Sequence, residues 1–326
     1  MRRPLLVCAV ALVAVVASLL VAEAVLRRLA PTWTLLFPPV NMRPDLFEAA
    51  SFGYRLKPNV VGRYRYSAAG GAATTIRANA EGFRGSRPIA EQDARPRLVV
   101  IGDSMVFGVG VEEEERFTEL LEKRHPEWRV DNLGMVGFGT DLMLRVLQDV
   151  ALPQRPRLVV LVLHSDDLRR VADPYAGMGF PLPKFFVQDG RLATKPYPEP
   201  WPWDRLRIVQ GLKHLRSRLT GATFPLNEAI LDRFHELAII HGFGLVVAYA
   251  PPPHPAWHDG TRRRFLAGWA RRSGVPFVDL SPSREGDLSV YLPGDSHWSP
   301  RGHEMVAARL APLLHARPRS PTEEGA

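Results

Sequence analysis

Five short apolar runs, at residues 98–101, 130–133, 158–163, 245–250 and 275–280, constrain this chain more than any other feature. Asp131 and Asn132 interrupt the second and Asp279 the last, but none alternates apolar with polar residues, so each suits a strand buried on both faces of a sheet. Helical patterns fall between them, near 113–125, 140–151, 227–241 and 260–273, with a last one near 300–315. Strand and helix in turn predict right-handed crossovers between parallel strands, hence a doubly wound α/β domain. In such a sheet, functional residues gather beyond the carboxyl ends of the strands. The residues just after each run are therefore the candidates for chemistry.

The composition suits that plan. Of 326 residues, 46% are hydrophobic and 23% charged, which predicts one globular domain of roughly 200 to 250 residues with attachments. The net charge is +8, but the basic residues are mostly arginines dispersed among acids. With no lysine-rich tract, nucleic acid is not an expected partner. Cys8 is the only cysteine in the sequence, which excludes a disulfide and a cysteine metal site.

Residues 4–26 are apolar except for Glu23, with Arg2 and Arg3 before them and Arg27 and Arg28 after. As a helix this run is about 33 Å long at ~1.5 Å per residue, enough to cross a bilayer. The rival is a cleaved signal peptide, whose apolar core is shorter, about 7 to 15 residues, and ends at a small-x-small site. No such site stands out before Arg27, so a retained single-pass anchor is expected, with the lipid bilayer as partner. Arg2 and Arg3 favour a cytoplasmic N-terminus, although Arg27 and Arg28 weaken the asymmetry. The rest of the chain is then extracytoplasmic. Glu23 stands four residues before Arg27, where a helical ion pair forms near the interface.

The expected organisation is a membrane anchor at 1–30, a linker and lead-in of short strands at 31–96, the α/β domain at 97–316 and a polar tail at 317–326. One interval, about 171–225, breaks the strand and helix rhythm. It is rich in proline and aromatics, including Phe185, Phe186, Trp201 and Trp203, and a segment of this length inside a domain reads as an inserted cap over the site.

After the first run comes Gly102-Asp103-Ser104, which places a serine at a strand end. A serine becomes a nucleophile only when a base reaches its hydroxyl; alone, the tripeptide also suits an ordinary turn or helix cap. Glycines follow the second run, and the N–H of Gly137 can face an oxyanion, though a plain strand-to-helix turn explains them as well. The third run ends in His164-Ser165-Asp166-Asp167, which helix capping would also explain. Before the last helix comes Asp295-Ser296-His297-Trp298-Ser299-Pro300, where Ser299 fits an N-cap and Pro300 a first helical residue. Residues two apart in an extended loop project to one side. Asp295 can therefore hold His297 Nδ1 while Nε2 faces the serine. His303 reads as structural, and no metal-ligand motif is present.

Together these blocks resemble the SGNH hydrolase superfamily, also called GDSL-like, and the Asp-x-His-Trp-Ser-Pro form is similar to its membrane-anchored bacterial members. Residues 79–85 look like a lead-in of the same subgroup. The resemblance implies a flavodoxin-like, five-stranded parallel sheet and no cofactor. It implies Ser104 as nucleophile on an acyl ester, His297 as base and Asp295 as its orienter. Many relatives space the last pair as Asp-x-x-His, where this chain has one intervening residue. The oxyanion hole it implies consists of the N–H groups of Ser104 and Gly137 and a third-block side chain. That third position is ordinarily asparagine and here is Asp166. A carboxylate only accepts hydrogen bonds, so Asp166 donates only if kept protonated; otherwise Ser165 or His164 stands in, or the hole is weak. The expected activity is hydrolysis or transfer of an acyl group, commonly O-acetyl, on an envelope glycan, lipid or small molecule. A transferase would call for a membrane acyl-donor protein as partner. The alternative is a non-catalytic envelope protein that keeps the fold to bind a glycan or membrane partner.

Overall fold

The computed structural model describes residues 2–29, 44–65, 73–171, 180, 184–195, 202–212, 223–284 and 286–315. After helix α1 (Arg2–Leu29) come two hairpins, β1 (Phe47–Ala50) with β2 (Gly53–Leu56) and β3 (Val61–Tyr64) with β4 (Thr74–Arg77). The chain continues through β5 (Arg97–Gly102), α2 (Ser104–Phe107), α3 (Phe117–Arg124), β6 (Arg129–Gly134), α4 (Thr140–Val146), β7 (Leu158–His164) and α5 (Asp167–Arg170). A third hairpin, β8 (Lys184–Gln188) with β9 (Arg191–Lys195), precedes α6 (Phe224–His241) and β10 (Gly244–Ala250). Then come α7 (Trp257–Ser273), β11 (Phe277–Asp279), α8 (Pro300–Leu310) and α9 (Pro312–His315).

The five apolar runs pair in parallel as one sheet in the order β11-β10-β7-β5-β6. Counted along the chain, that is the 2-1-3-4-5 order of flavodoxin-like sheets, whose ligand crevice lies where the winding reverses. Here the reversal falls at β5, flanked by β6 on one side and β7 on the other. Both sheet faces are apolar because both are covered. Val99, Ile101, Leu161 and Val247 pack with Leu142 of α4, Phe234 of α6 and Trp269 of α7. On the other face, Leu98, Val100, Val160 and Ala248 pack with Val106 of α2, Phe117 of α3 and Val306 of α8. This double coverage explains why the runs lack alternation.

Residues 46–64 and 76–89 contribute to the first of these cores: Phe52, Tyr54, Leu56, Ile76 and Phe83 are buried with Val99 and Leu161. Asn79 Oδ1 accepts the N–H groups of Glu81 and Phe83 at 3.2 and 2.9 Å, closing the turn that carries Arg84 inward. Arg84 donates to the carbonyls of Thr75, Phe107, Gly108 and Val111, so it binds the carboxyl end of α2 to the first hairpins.

Of the interval expected as a cap, the β8–β9 hairpin and residues 202–212 are described. Phe185 is buried beneath Arg145, whose guanidinium lies 4.6 Å from its ring centre. Trp201 and residues 172–179 lie outside the described residues, as does the expected tail. Within α1, an 18-residue window of Leu6–Leu29 has a mean hydropathy of 2.6 and is almost wholly exposed, so this helix is long and apolar enough to cross a membrane.

Candidate active site

Strand β5 ends at Gly102, and the chain turns at once into α2. Asp103 caps that helix, its Oδ1 accepting the Met105 N–H at 2.9 Å. The cap leaves Ser104 as the first helical residue, at the carboxyl edge of the sheet. A methyl at Gly134 of the neighbouring β6 would stand 2.3 Å from the Phe107 nitrogen. Glycine there is what lets the short helix settle against the strand.

The loop before α8 folds back on itself: Leu292 N–H donates to His297 O at 2.8 Å, and Ser299 N–H to Val290 O at 2.9 Å. Ser299 caps α8 through Gly302, with Pro300 in the first turn. This fold brings together residues far apart in sequence. His297 Nε2 lies 2.8 Å from Ser104 Oγ, and His297 Nδ1 lies 2.5 Å from Asp295 Oδ1, which also accepts the His297 backbone N–H at 3.0 Å. Burial works against charge on Asp295, but the His297 ring and backbone hold its carboxyl below the usual range. With Nδ1 donating to that carboxylate, Nε2 presents a lone pair to the serine hydroxyl. The arrangement can take a proton from Ser104 as its oxygen attacks.

Two backbone donors adjoin the serine's end of the sheet. The N–H groups of Ser104 and Gly137 donate to no other described residue. Gly137 has φ +81°, a backbone conformation that side chains resist. Tyr54, fully buried, donates its hydroxyl to Val136 O, the carbonyl of the peptide group whose N–H is that of Gly137.

The family model of GDSL-like lipases and acylhydrolases matches residues 100–305. The chain belongs to this family. As a GDSL-like acylhydrolase it is a hydrolase acting on esters. Among solved structures it is similar to a lipolytic G-D-S-L protein from Desulfitobacterium hafniense, at 13% identity over 68% of this chain and 100% of that one, with a TM-score of 0.46. It is also similar to an acetylxylan esterase from Geobacillus stearothermophilus, at 16% identity over 68% and 94% with a TM-score of 0.45. A lipase/acylhydrolase from Enterococcus faecalis matches at 17% identity over 69% and 99%, also with a TM-score of 0.45. No curated protein sequence matches the chain.

At the third block of this GDSL-like chain stands Asp166, which can lend a donor only while it is protonated. Burial favours the neutral acid, but Arg169, Arg170 and Arg262 outweigh it and hold the Asp166 carboxyl far below its usual value. As an anion it has acceptors alone. Ser165 is also engaged: its hydroxyl donates to Asp259 and accepts from Arg262 at 3.1 Å. His164 Nδ1 accepts the Asp166 N–H at 3.3 Å, which puts the ring proton on Nε2. That buried nitrogen meets no partner among the described residues. Burial holds His164 below its ordinary value, so the ring is neutral near pH 7.

A feature the sequence did not reveal joins three of the blocks. Arg170 donates to Asp103 Oδ2 at 3.0 Å, to Phe138 O at 3.1 Å and to Asp167. Against burial, Arg170 keeps Asp103 ionised. Burial and the neighbouring Asp103 push the Asp167 carboxyl up from its ordinary value, the direction expected where two carboxylates share one guanidinium. The three-residue spacing of Asp167 and Arg170 was the available signal; Tyr54 left none. His303 Nδ1 accepts the Phe117 N–H at 3.2 Å, a packing role. Among the described residues no group of His, Cys, Asp or Glu is placed to hold a metal ion.

Proposed function

We propose that this chain cleaves or transfers an acyl ester, commonly an O-acetyl group, through an acyl-enzyme on Ser104. The observation that carries the reading is the continuous hydrogen-bonded line from Asp295 through His297 to Ser104. The Ser104 oxygen attacks the carbonyl carbon while its proton passes to His297 Nε2, and the carbonyl π pair moves onto oxygen. The N–H groups of Ser104 and Gly137 stabilise that oxyanion, and Asp295 stays ionised beside the imidazolium. Collapse expels the alcohol, which leaves with the His297 proton. Water, or a second hydroxyl in a transferase, then attacks the acyl-serine by the same steps in reverse.

The envelope is the setting that α1 supports: a retained anchor with the N-terminus cytoplasmic and the α/β domain outside. Candidate substrates are therefore acylated envelope glycans, lipids or small esters.

The ionised Asp166 favours a second reading, in which the fold binds a glycan or membrane partner without turnover. Labelling by a serine-reactive fluorophosphonate separates the two. We expect the chain to be labelled and Ser104→Ala to remain unlabelled. Labelling that survives Ser104→Ala removes Ser104 as nucleophile, and a native chain that resists the probe supports the binding protein.

A further inference from the structure

Glu23 is a carboxylate within an otherwise apolar helix, and its partners come from the far side of the sequence. Its Oε1 accepts the Arg27 side chain at 2.8 Å and the Arg207 backbone N–H at 2.9 Å, and its Oε2 accepts the Ile208 N–H at 3.0 Å. These are backbone donors at the start of a helical turn, 207–212, where a carboxylate is favoured. Glu23 is buried by this contact, while the apolar side chains along α1 remain exposed.

The depth of the contact follows from helix geometry. A hydrocarbon layer about 30 Å thick takes roughly 20 residues of helix, so a span that begins at Leu6 ends near Val25. Glu23 then lies in the last turn, at the level where chain meets headgroup. Residues 202–212 are held at that level by two hydrogen bonds, and three of their large apolar side chains face outward while Ile208 and Val209 are half-buried: Trp203 is 53% exposed, Leu206 40% and Leu212 62%. Tryptophan and leucine beside arginine suit an interface that is oily on one side and charged on the other. Arg27 and Arg207 lie close enough for each to feel the other's charge. Together with Arg28 they form a basic rim of the kind that anionic headgroups attract.

We infer that residues 202–212 form a second membrane contact, locked to the anchor helix through Glu23 and seated on an anionic phospholipid surface. The inference rests on the reading of α1 as a retained anchor. Its consequence is orientation. A single helix followed by a free linker lets a domain tumble, whereas a second contact bound to that helix fixes one face of the α/β domain toward the bilayer.

The test uses the full chain, with Cys8→Ser and Trp203→Cys, carrying a nitroxide at position 203 in vesicles of phosphatidylethanolamine and phosphatidylglycerol. We expect the nitroxide to be relaxed by oxygen in preference to a soluble nickel complex. The ratio of the two should fall several-fold in Glu23→Leu, while that variant still resists carbonate extraction and still reacts with the fluorophosphonate. A label equally open to nickel in the native and Glu23→Leu backgrounds, with both chains resisting extraction, overturns the second contact and leaves the anchor standing. An oxygen preference that survives Glu23→Leu overturns the Glu23 lock. Release of the chain by carbonate overturns the anchor and the inference with it.

Discussion

Asp166 shows how one side chain limits an otherwise complete constellation. The oxyanion that the proposed attack by Ser104 would create on the ester carbonyl needs donors, and Asp166 stands there within reach of Arg169 and Arg262. Asp166→Asn removes the carboxylate charge and offers an amide in a side chain of nearly equal size. Because one oxyanion donor is worth about 10²- to 10³-fold in rate, the variant is expected to raise kcat on a soluble acetyl ester by at least about tenfold. Unchanged or lower turnover means that the carboxylate has a task of its own. His303 gives a prediction in pH. Burial, Arg116 and Arg84 bring its imidazole down from 6.5 to about 3. The unfolded chain takes up a proton near pH 6.5 that the folded chain refuses until about pH 3. Stability is therefore complete above the unfolded value and lost as pH falls between the two, by about 2 kcal/mol at pH 5. His303→Asn keeps an acceptor for the Phe117 N–H and should remove that share of the acid slope, measured by urea unfolding between pH 7 and 5. His164, also held low by burial, contributes in the same direction and remains in the variant. The meeting of Ser104, Asp295 and His297 was expected from their ordered blocks and the resemblance these carry, since a strand end and a two-residue spacing alone also suit a turn or a cap. The charge state of Asp166 and the bridging by Arg170 were not, since both depend on which other charged groups converge on them.

Among elements, the sheet was legible and its supports were not. Each run became a strand within two residues at either end; in the central strands β5, β7 and β10 burial on both faces leaves a continuous apolar signature, which the edge strands β6 and β11 break with Asp131, Asn132 and Asp279. Helix starts were harder. The helix expected from 227 begins at Phe224, helped by a proline in its first turn, and the one expected from 260 begins at Trp257, where Asp259 accepts the Ala256 N–H at 2.7 Å. The helix expected over 140–151 relaxes into a π turn at Leu147–Ala151, for which the neighbouring side chains offer no cause. The hairpin β1–β2 has the clearest chemical consequence, because it delivers Tyr54 to the peptide that presents the Gly137 N–H. A hydroxyl on the carbonyl side of a peptide fixes the direction of the N–H on the other side. Tyr54→Phe should then lower kcat about tenfold with KM nearly unchanged, since the donor acts on the oxyanion and not on the bound ester. The accompanying loss of stability should be about 1 kcal/mol, the usual worth of one hydrogen bond. Equal loss of stability with kcat intact would leave Tyr54 as packing alone.

At the scale of the whole molecule, the question is where the folding unit begins. The family match starts at residue 100, and the apolar runs start at 98, yet the core does not. Leu46, Phe52, Tyr54, Leu56, Tyr64, Ile76, Phe83 and Ile89 are all buried in the cluster that contains Val99 and Leu161. At about 1.5–3 kcal/mol for each large side chain, their burial is worth roughly 12–24 kcal/mol before the entropy of ordering the segment is subtracted. The net stability of a domain is about 5–15 kcal/mol, so loss of this layer is expected to leave the sheet unstable. The sequence hid the dependence because short strands punctuated by glycine and proline look like a linker, and their partners lie some 50 to 80 residues downstream, about as far as Tyr54 is from Val136. A chain that begins at residue 44 is expected to unfold in urea as one cooperative transition and to react with the fluorophosphonate. A chain that begins at residue 97 also loses Arg84, which holds the end of α2, the helix that carries Ser104. It should show neither a cooperative transition nor labelling, and cooperative unfolding of that shorter chain at an unchanged midpoint would make residues 44–96 an accessory laid on a self-sufficient domain.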